Sequence, residues 1–332
     1  MLKKLALPLA ALGLMSLIAA APLAPKYRES FLPPNNLKHR IGALDSGGIS
    51  EAQFNAVMDR MQAIYGPIVA SHGATLQINR LWTDDTVNAS AEEQGSTWIL
   101  NMYGGLARDK NITQDGMALV ACHEMGHHLG GAPKYGGGSD WAADEGEADY
   151  YANSKCLHRI FADAASASFT KAQTPGDDAA LIAAACAKSY KGSKDRAVCV
   201  RASEAGLSTT ALLAELGSDG PDHIGTPDPS VVAQTNDEHP ASQCRLDTYF
   251  QGSLCGKAYT VDMSPTDPAV GGCVASQGYT SGMRPRCWYA PAAGELIGQS
   301  VASISASTEK QSHAASSAIL ASLKNGDVFS GL

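Results

Sequence analysis

Beyond its first twenty residues the chain has no apolar run that reaches the roughly 20 residues needed to span a bilayer. It also lacks an excess of positive charge. Lys and Arg number 25 against 33 Asp and Glu, a formal net charge of −8 at pH 7, which argues against nucleic acid or an anionic membrane as partner. There is no Cys-x-x-Cys pair, so a zinc site built from cysteines is not indicated. No internal repeat is present either, so a helical-repeat extension is not supported.

The sequence begins with Lys3 and Lys4, followed by an apolar run from Leu5 to Ala20 that Pro8 and Gly13 interrupt. A basic start and a short apolar stretch read as a secretory signal peptide over residues 1–20, cleaved after Ala20. No cysteine follows closely enough to carry a lipid anchor. The mature chain is therefore expected to be soluble and exported, periplasmic or secreted, with no integral membrane segment. Eight cysteines, an even set, then read as disulfides: Cys122, Cys156, Cys186, Cys199, Cys244, Cys255, Cys273 and Cys287. Spacing leaves their connectivity open. The least demanding loops to close are Cys186–Cys199, Cys244–Cys255 and Cys273–Cys287.

Residues 21–49 read as an extended, Pro-containing segment. Ser50-Glu-Ala-Gln53 has the form of a capping box, and the apolar spacing from Phe54 to Tyr65 predicts a helix that Gly66-Pro67 ends. Strands are expected near Leu76–Trp82 and at Trp98–Tyr103, with a polar loop from Thr83 to Ser96 between them. Thr113 is the expected N-cap of a helix that Gly130-Gly131 and Pro133 stop, and a further helix is expected from about Trp141 to Phe161. An Ala-rich helix is expected from Asp177 to Lys188. Helices interspersed with a few strands make the class α+β. Residues 251–332 are rich in Gly, Ser and Ala and carry three cysteines.

The helix after Thr113 contains His123-Glu124-x-x-His127. Residues four apart on an α-helix differ by only about 40° in direction, so the two imidazoles project from one face. Two neutral imidazoles so placed suit Zn²⁺, and a Glu beside the first can reach a metal-bound water without ligating the metal. A third ligand six residues after the second His is excluded, because Pro133 occupies that position. The next helix offers Asp144-Glu-Gly-Glu-Ala-Asp149 instead. There Glu145 and Asp149 share a face, which suits Glu145 as ligand and Asp149 as acceptor for a ligand imidazole. Glu147 points about 160° away from Asp149 and is expected to face solvent. Cys122 points about 100° from His123 and reads as packed or disulfide-bonded, with Cys156 as a candidate partner.

His123-Glu-Met-Gly-His-His128 followed by Glu145-Gly-Glu-Ala-Asp149 resembles the gluzincin peptidases related to HtpX and the CAAX-prenyl protease, peptidase family M-forty-eight. Val87-Asn-Ala-Ser-Ala91 with Gly104-Gly-Leu106, and His239-Pro-x-x-x-Cys-Arg245, are similar to further segments of that family. The resemblance spans about residues 50–250. It implies a zincin-like metalloprotease domain with active-site helices on a small sheet, followed by a disulfide-containing extension. It further implies one catalytic Zn²⁺ on His123, His127 and Glu145, with Asp149 behind them and Glu124 as general base. The substrate would be a protein or peptide, held along the strand Trp98–Tyr103 acting as a sheet edge. His239 and Arg245 are the candidates for steadying the oxyanion, and His239 alternatively for a fourth ligand in a latent state. Exported soluble relatives that act on envelope proteins are a nearer comparison than the membrane-embedded members. The competing expectation is a zincin-fold envelope binding or assembly protein with little or no turnover; the intact Glu124 favours the enzyme.

Overall fold

The computed structural model describes residues 29–42, 47–138, 141–163, 167, 169–171, 174–217 and 220–296. The signal peptide read at residues 1–20 lies outside them. Helix α1 (Glu51–Ser71) starts where Ser50 Oγ accepts from the Gln53 amide at 3.4 Å and the Gln53 side chain accepts from the Ser50 amide at 2.9 Å. It does not stop at Gly66-Pro67. Proline forfeits one main-chain bond, yet the buried Val69 keeps the last turn packed, so the helix runs on to Ser71.

Strands β1 (Glu29–Ser30), β2 (Thr75–Leu81), β3 (Ala89–Gln94) and β4 (Thr97–Tyr103) form one sheet in the order β1-β3-β4-β2. β4 is parallel to β2 and antiparallel to β3, while β1 is antiparallel to β3. Two expectations are corrected here. The supposed loop from Thr83 to Ser96 contains β3, whose Ala-Ser-Ala-Glu-Glu-Gln carries no branched residue to signal a strand. Trp98–Tyr103 is an interior strand, not an edge, because the β3–β4 hairpin turns at Gly95, where φ is +63°, and lays β3 along its free side.

After β4 comes a short helix α2 (Gly104–Ala107), then α3 (Gln114–Leu129), capped by Thr113 Oγ1 accepting from Gly116 N at 3.0 Å. α3 is buried from Gln114 to His127, between the sheet on one side and later helices on the other. α4 (Tyr135–Gly138) precedes α5 (Glu145–Tyr151), which continues through a π-helical turn at Ala152–Cys156 into α6 (Leu157–Ile160). The continuous element begins at Glu145 and not at Trp141, because Asp144 Oδ1 accepts from Glu147 N at 2.9 Å and caps it there. α7 (Gly176–Ser189), α8 (Ser193–Gly217) and α9 (Ser242–Leu254) complete the α-helices among the described residues. α8 gives little apolar periodicity because much of its buried face is Ala, Ser, Thr and Gly, which lets neighbouring helices approach closely.

Four disulfides join Cys122–Cys156, Cys186–Cys199, Cys244–Cys287 and Cys255–Cys273. The local pairs Cys244–Cys255 and Cys273–Cys287 do not form. Cys244 and Cys255 stand at opposite ends of α9, about 16 Å apart at 1.5 Å per residue, far beyond disulfide reach. Each end of α9 is instead tied to the segment that follows it. That segment presses Trp288 onto α5 at Gly146, where a Cβ would stand 2.2 Å from the indole. No helix among the described residues is long and apolar enough to cross a membrane.

Candidate metal centre

The centre is made where α3 and α5 touch. Gly126 permits the contact, since a Cβ there would lie 2.7 Å from the Ala148 carbonyl oxygen. This approach sets Glu145, at the start of α5, against His123 and His127 of α3. His123 Nε2 is 3.2 Å from His127 Nε2 and 3.2 Å from Glu145 Oε2, and His127 Nε2 is 3.8 Å from Glu145 Oε1. The three side chains are fully buried and can together hold a metal ion.

Their orientation comes from the other ring nitrogens. His127 Nδ1 donates to the Ala143 carbonyl at 2.8 Å, and the Ala143 amide donates back to the His127 carbonyl at 2.9 Å. His123 Nδ1 donates to Asp149 Oδ1 at 2.7 Å. Arg245 holds Asp149 in turn, with Nε to Oδ2 and Nη2 to Oδ1 both at 2.7 Å. With both Nδ1 atoms protonated, both Nε2 lone pairs converge beside a carboxylate. Three electron-rich atoms so aimed in a buried space can be bridged by a cation. Their spacing also fits one, because ligands about 2.0–2.1 Å from a tetrahedral ion lie about 3.3 Å apart.

The titration behaviour has the same cause. Burial opposes a charge on His123, but Asp149 and Glu145 outweigh it and push its pKa up to about 9. Burial takes His127 down to about 4. Glu145 is raised by burial yet held below the ordinary carboxylate range by the neighbouring His123. The cluster is thus built to keep one positive charge against Glu145.

His123, His127, Glu145 and Asp149 are brought together as the helix spacing anticipates, and Glu124 is buried on the same helix. His239 lies at the border of the centre, its Nε2 3.4 Å from Glu145 Oε1 and donating to the Ser30 carbonyl at 2.7 Å. Arg245 does not stand where an oxyanion would be steadied. It is fully buried behind the ligands, bonded to Asp149 and to the Phe31 carbonyl at 2.7 Å, and its Nη2 also lies 3.4 Å from His123 Nδ1 and 3.9 Å from Glu145 Oε2. Glu147 does not face solvent either. Residues after α9 fold over that side of α5, and Arg284 Nη2 donates to Glu147 Oε1 at 2.6 Å.

Two other contributors, Tyr135 and Phe31, carry no motif. Tyr135 Oη donates to Glu145 Oε1 at 3.2 Å, and the Phe31 ring meets His123 edge-on with centroids 5.2 Å apart. His128 lies stacked between Trp98 and Trp141, at centroid distances of 4.9 and 4.6 Å, which ties β4, α3 and the 133–143 connection together. The doubled His of the motif was the one visible sign of that stack. Comparison with protein-family models, curated proteins and solved structures returns no match.

Proposed function

We propose that the protein is a zinc-dependent endopeptidase of zincin-like architecture, acting on protein or peptide substrates outside the cytoplasm. The observation that carries this reading is the convergence of His123 Nε2 and His127 Nε2, from the helix that also bears Glu124, with a Glu145 oxygen from α5. Two nitrogens and one carboxylate oxygen are a donor set typical of catalytic zinc. The likeness of these motifs to the gluzincin family supports the same reading, and the four disulfides fit an oxidising compartment.

His123, His127 and Glu145 would hold a zinc ion, which would supply Lewis-acid polarisation of the scissile carbonyl and lower the pKa of water from 15.7 to about 7. The chain's own residues do the rest. Glu124 takes the proton of the attacking water and delivers it to the leaving nitrogen. Asp149, charged and clamped by Arg245, keeps His123 in the tautomer that presents Nε2. The Ala143 carbonyl does the same for His127. His239 supplies an N–H at the border of the centre, suited to a substrate carbonyl.

A second reading, an envelope binding or assembly protein with little turnover, draws on the complete burial of His123, Glu124, His127 and Glu145. One experiment separates the two: metal content together with casein cleavage, with and without chelator, for wild type and Glu124→Gln. The enzyme reading expects the variant to keep its zinc and lose about 10²–10⁴-fold in rate. Near-normal cleavage by a zinc-loaded Glu124→Gln protein would remove Glu124 from the mechanism, and a zinc-loaded wild type that cleaves nothing would favour the binding protein.

A further inference from the structure

A centre that must admit a polypeptide is roofed in this structure, and part of the roof is a strand of the same chain. β1 lies antiparallel along the outer side of β3, with Glu29 opposite Ala91 and Ser30 opposite Ser90. The Phe31 amide extends the ladder by donating to the Ala89 carbonyl at 3.1 Å. This is the sheet edge beside the centre: Phe31 packs on His123, and the Ser30 carbonyl accepts from His239 at 2.7 Å. The next residue is clamped, Leu32 N donating to Asn88 Oδ1 at 2.9 Å and Asn88 Nδ2 to Leu32 O at 3.2 Å.

An extended peptide docking on a sheet edge makes contacts of this kind, a main-chain ladder with side chains set in flanking pockets. On the sheet edge where the endopeptidase reading places an incoming chain, we propose that Glu29–Phe31 lie along the outer side of β3 as an internal pseudosubstrate by which the chain covers its own centre. The Ser30 carbonyl stands in the place of a substrate carbonyl beside His239. A substrate enters as an extended strand antiparallel to β3 and must first displace these residues, with the Leu32–Asn88 clamp as the fixed point of the movement. The proposal rests on the endopeptidase reading for the identity of the incoming chain, but it makes a physical claim about access that is measurable without turnover.

Two opposed variants of the full chain test it. Ser30→Cys/Ser90→Cys joins two residues that face each other across the ladder; mapping of unreduced peptides verifies the new bond beside the four native ones. Phe31→Ala removes the ring that seats the strand. The first readout is the rate at which a chromophoric chelator withdraws zinc from the loaded protein. The second is binding of a labelled peptide with the sequence of residues 26–33, Lys-Tyr-Arg-Glu-Ser-Phe-Leu-Pro. The locked variant should release zinc about tenfold more slowly, or slower still, than either single-cysteine control and should not bind the peptide. Phe31→Ala should release zinc and bind peptide about tenfold faster and tighter than wild type. Should Phe31→Ala fail to fold, the comparison of the locked protein with its controls decides alone. Zinc release and peptide binding unchanged by the lock would overturn the proposal. If both respond as expected but no variant cleaves casein, the endopeptidase reading fails while the docking edge and its occupant stand.

Discussion

α5 carries two buried carboxylate–guanidinium pairs two residues apart, and only one of them serves the candidate metal centre. Asp149 meets Arg245 from α9, and Glu147, on the opposite side of the helix, meets Arg284 from the segment beyond α9. In chemistry the pairs are alike. Each is forked and buried, and each guanidinium lies 4.7 Å from an aromatic ring, Phe31 for Arg245 and Tyr150 for Arg284. They differ in the third partner. Asp149 Oδ1 also receives His123 Nδ1 at 2.7 Å, so its charge sets the tautomer of a ligand. The Glu147 pair ends instead on structure: Arg284 Nη1 donates to the Pro268 carbonyl at 3.0 Å, which fastens the C-terminal segment to α5. Burial of charge therefore does not by itself mark a site. What marks it is the group to which the remaining hydrogen-bonding capacity is passed.

The sharpest way to break this comparison is at the carboxylates of α5 themselves. Glu145→Ala should lose bound metal altogether, whereas Glu147→Ala should retain it, as metal content per chain after gel filtration will show; the reverse pattern would place the centre on the wrong face of the helix. Glu147→Ala should instead lower unfolding stability by about 3–5 kcal/mol, because Arg284 is left buried without its counter-charge. Urea titration checks this, and a loss below about 1 kcal/mol would deny the pair its fastening role. Asp149→Asn should weaken metal affinity about 10–100-fold in a competition titration, while Glu147→Gln leaves affinity unchanged. Equal affinities in those two proteins would erase the difference between the pairs.

The smallest effect concerns a buried charge with no carboxylate bonded to it. Lys155 Nζ donates to the Ala258 carbonyl at 2.9 Å, and burial, helped by Arg159 and Lys257, lowers its pKa from 10.5 to about 7. The folded protein thus binds fewer protons at this site than the unfolded chain between pH 7 and 10.5, so the site's contribution to stability rises with pH across that window. Lys155→Met should raise Tm by a few degrees near pH 6, with the gain shrinking toward pH 10. A gain independent of pH would show that packing, and not the charge, is responsible.

The candidate ligand set was legible because helix periodicity is local. His123 and His127, and then Glu145 and Asp149, are each four apart, and backbone geometry alone puts such pairs on one face. The same reasoning found the cap at Ser50 and the approach of Cys122 to Cys156. It failed at β3, where small residues take a strand position only because β1 and β4 pair with it. It failed for Glu147 too, since angular spacing says which way a side chain points and not what will cover it.

By itself the amino-acid sequence determined the α+β class, the motif helix and the four side chains that face one another across α3 and α5. Tertiary structure alone decided which cysteines pair around α9, that Arg245 stands behind Asp149, that Glu147 is covered by Arg284, and that β1 pairs with β3 and sets Phe31 against His123. The physical reason is range. Turn and helix preferences act over a few residues, whereas the Arg245–Phe31 hydrogen bond joins positions 214 apart, which only the packing of the whole chain brings together.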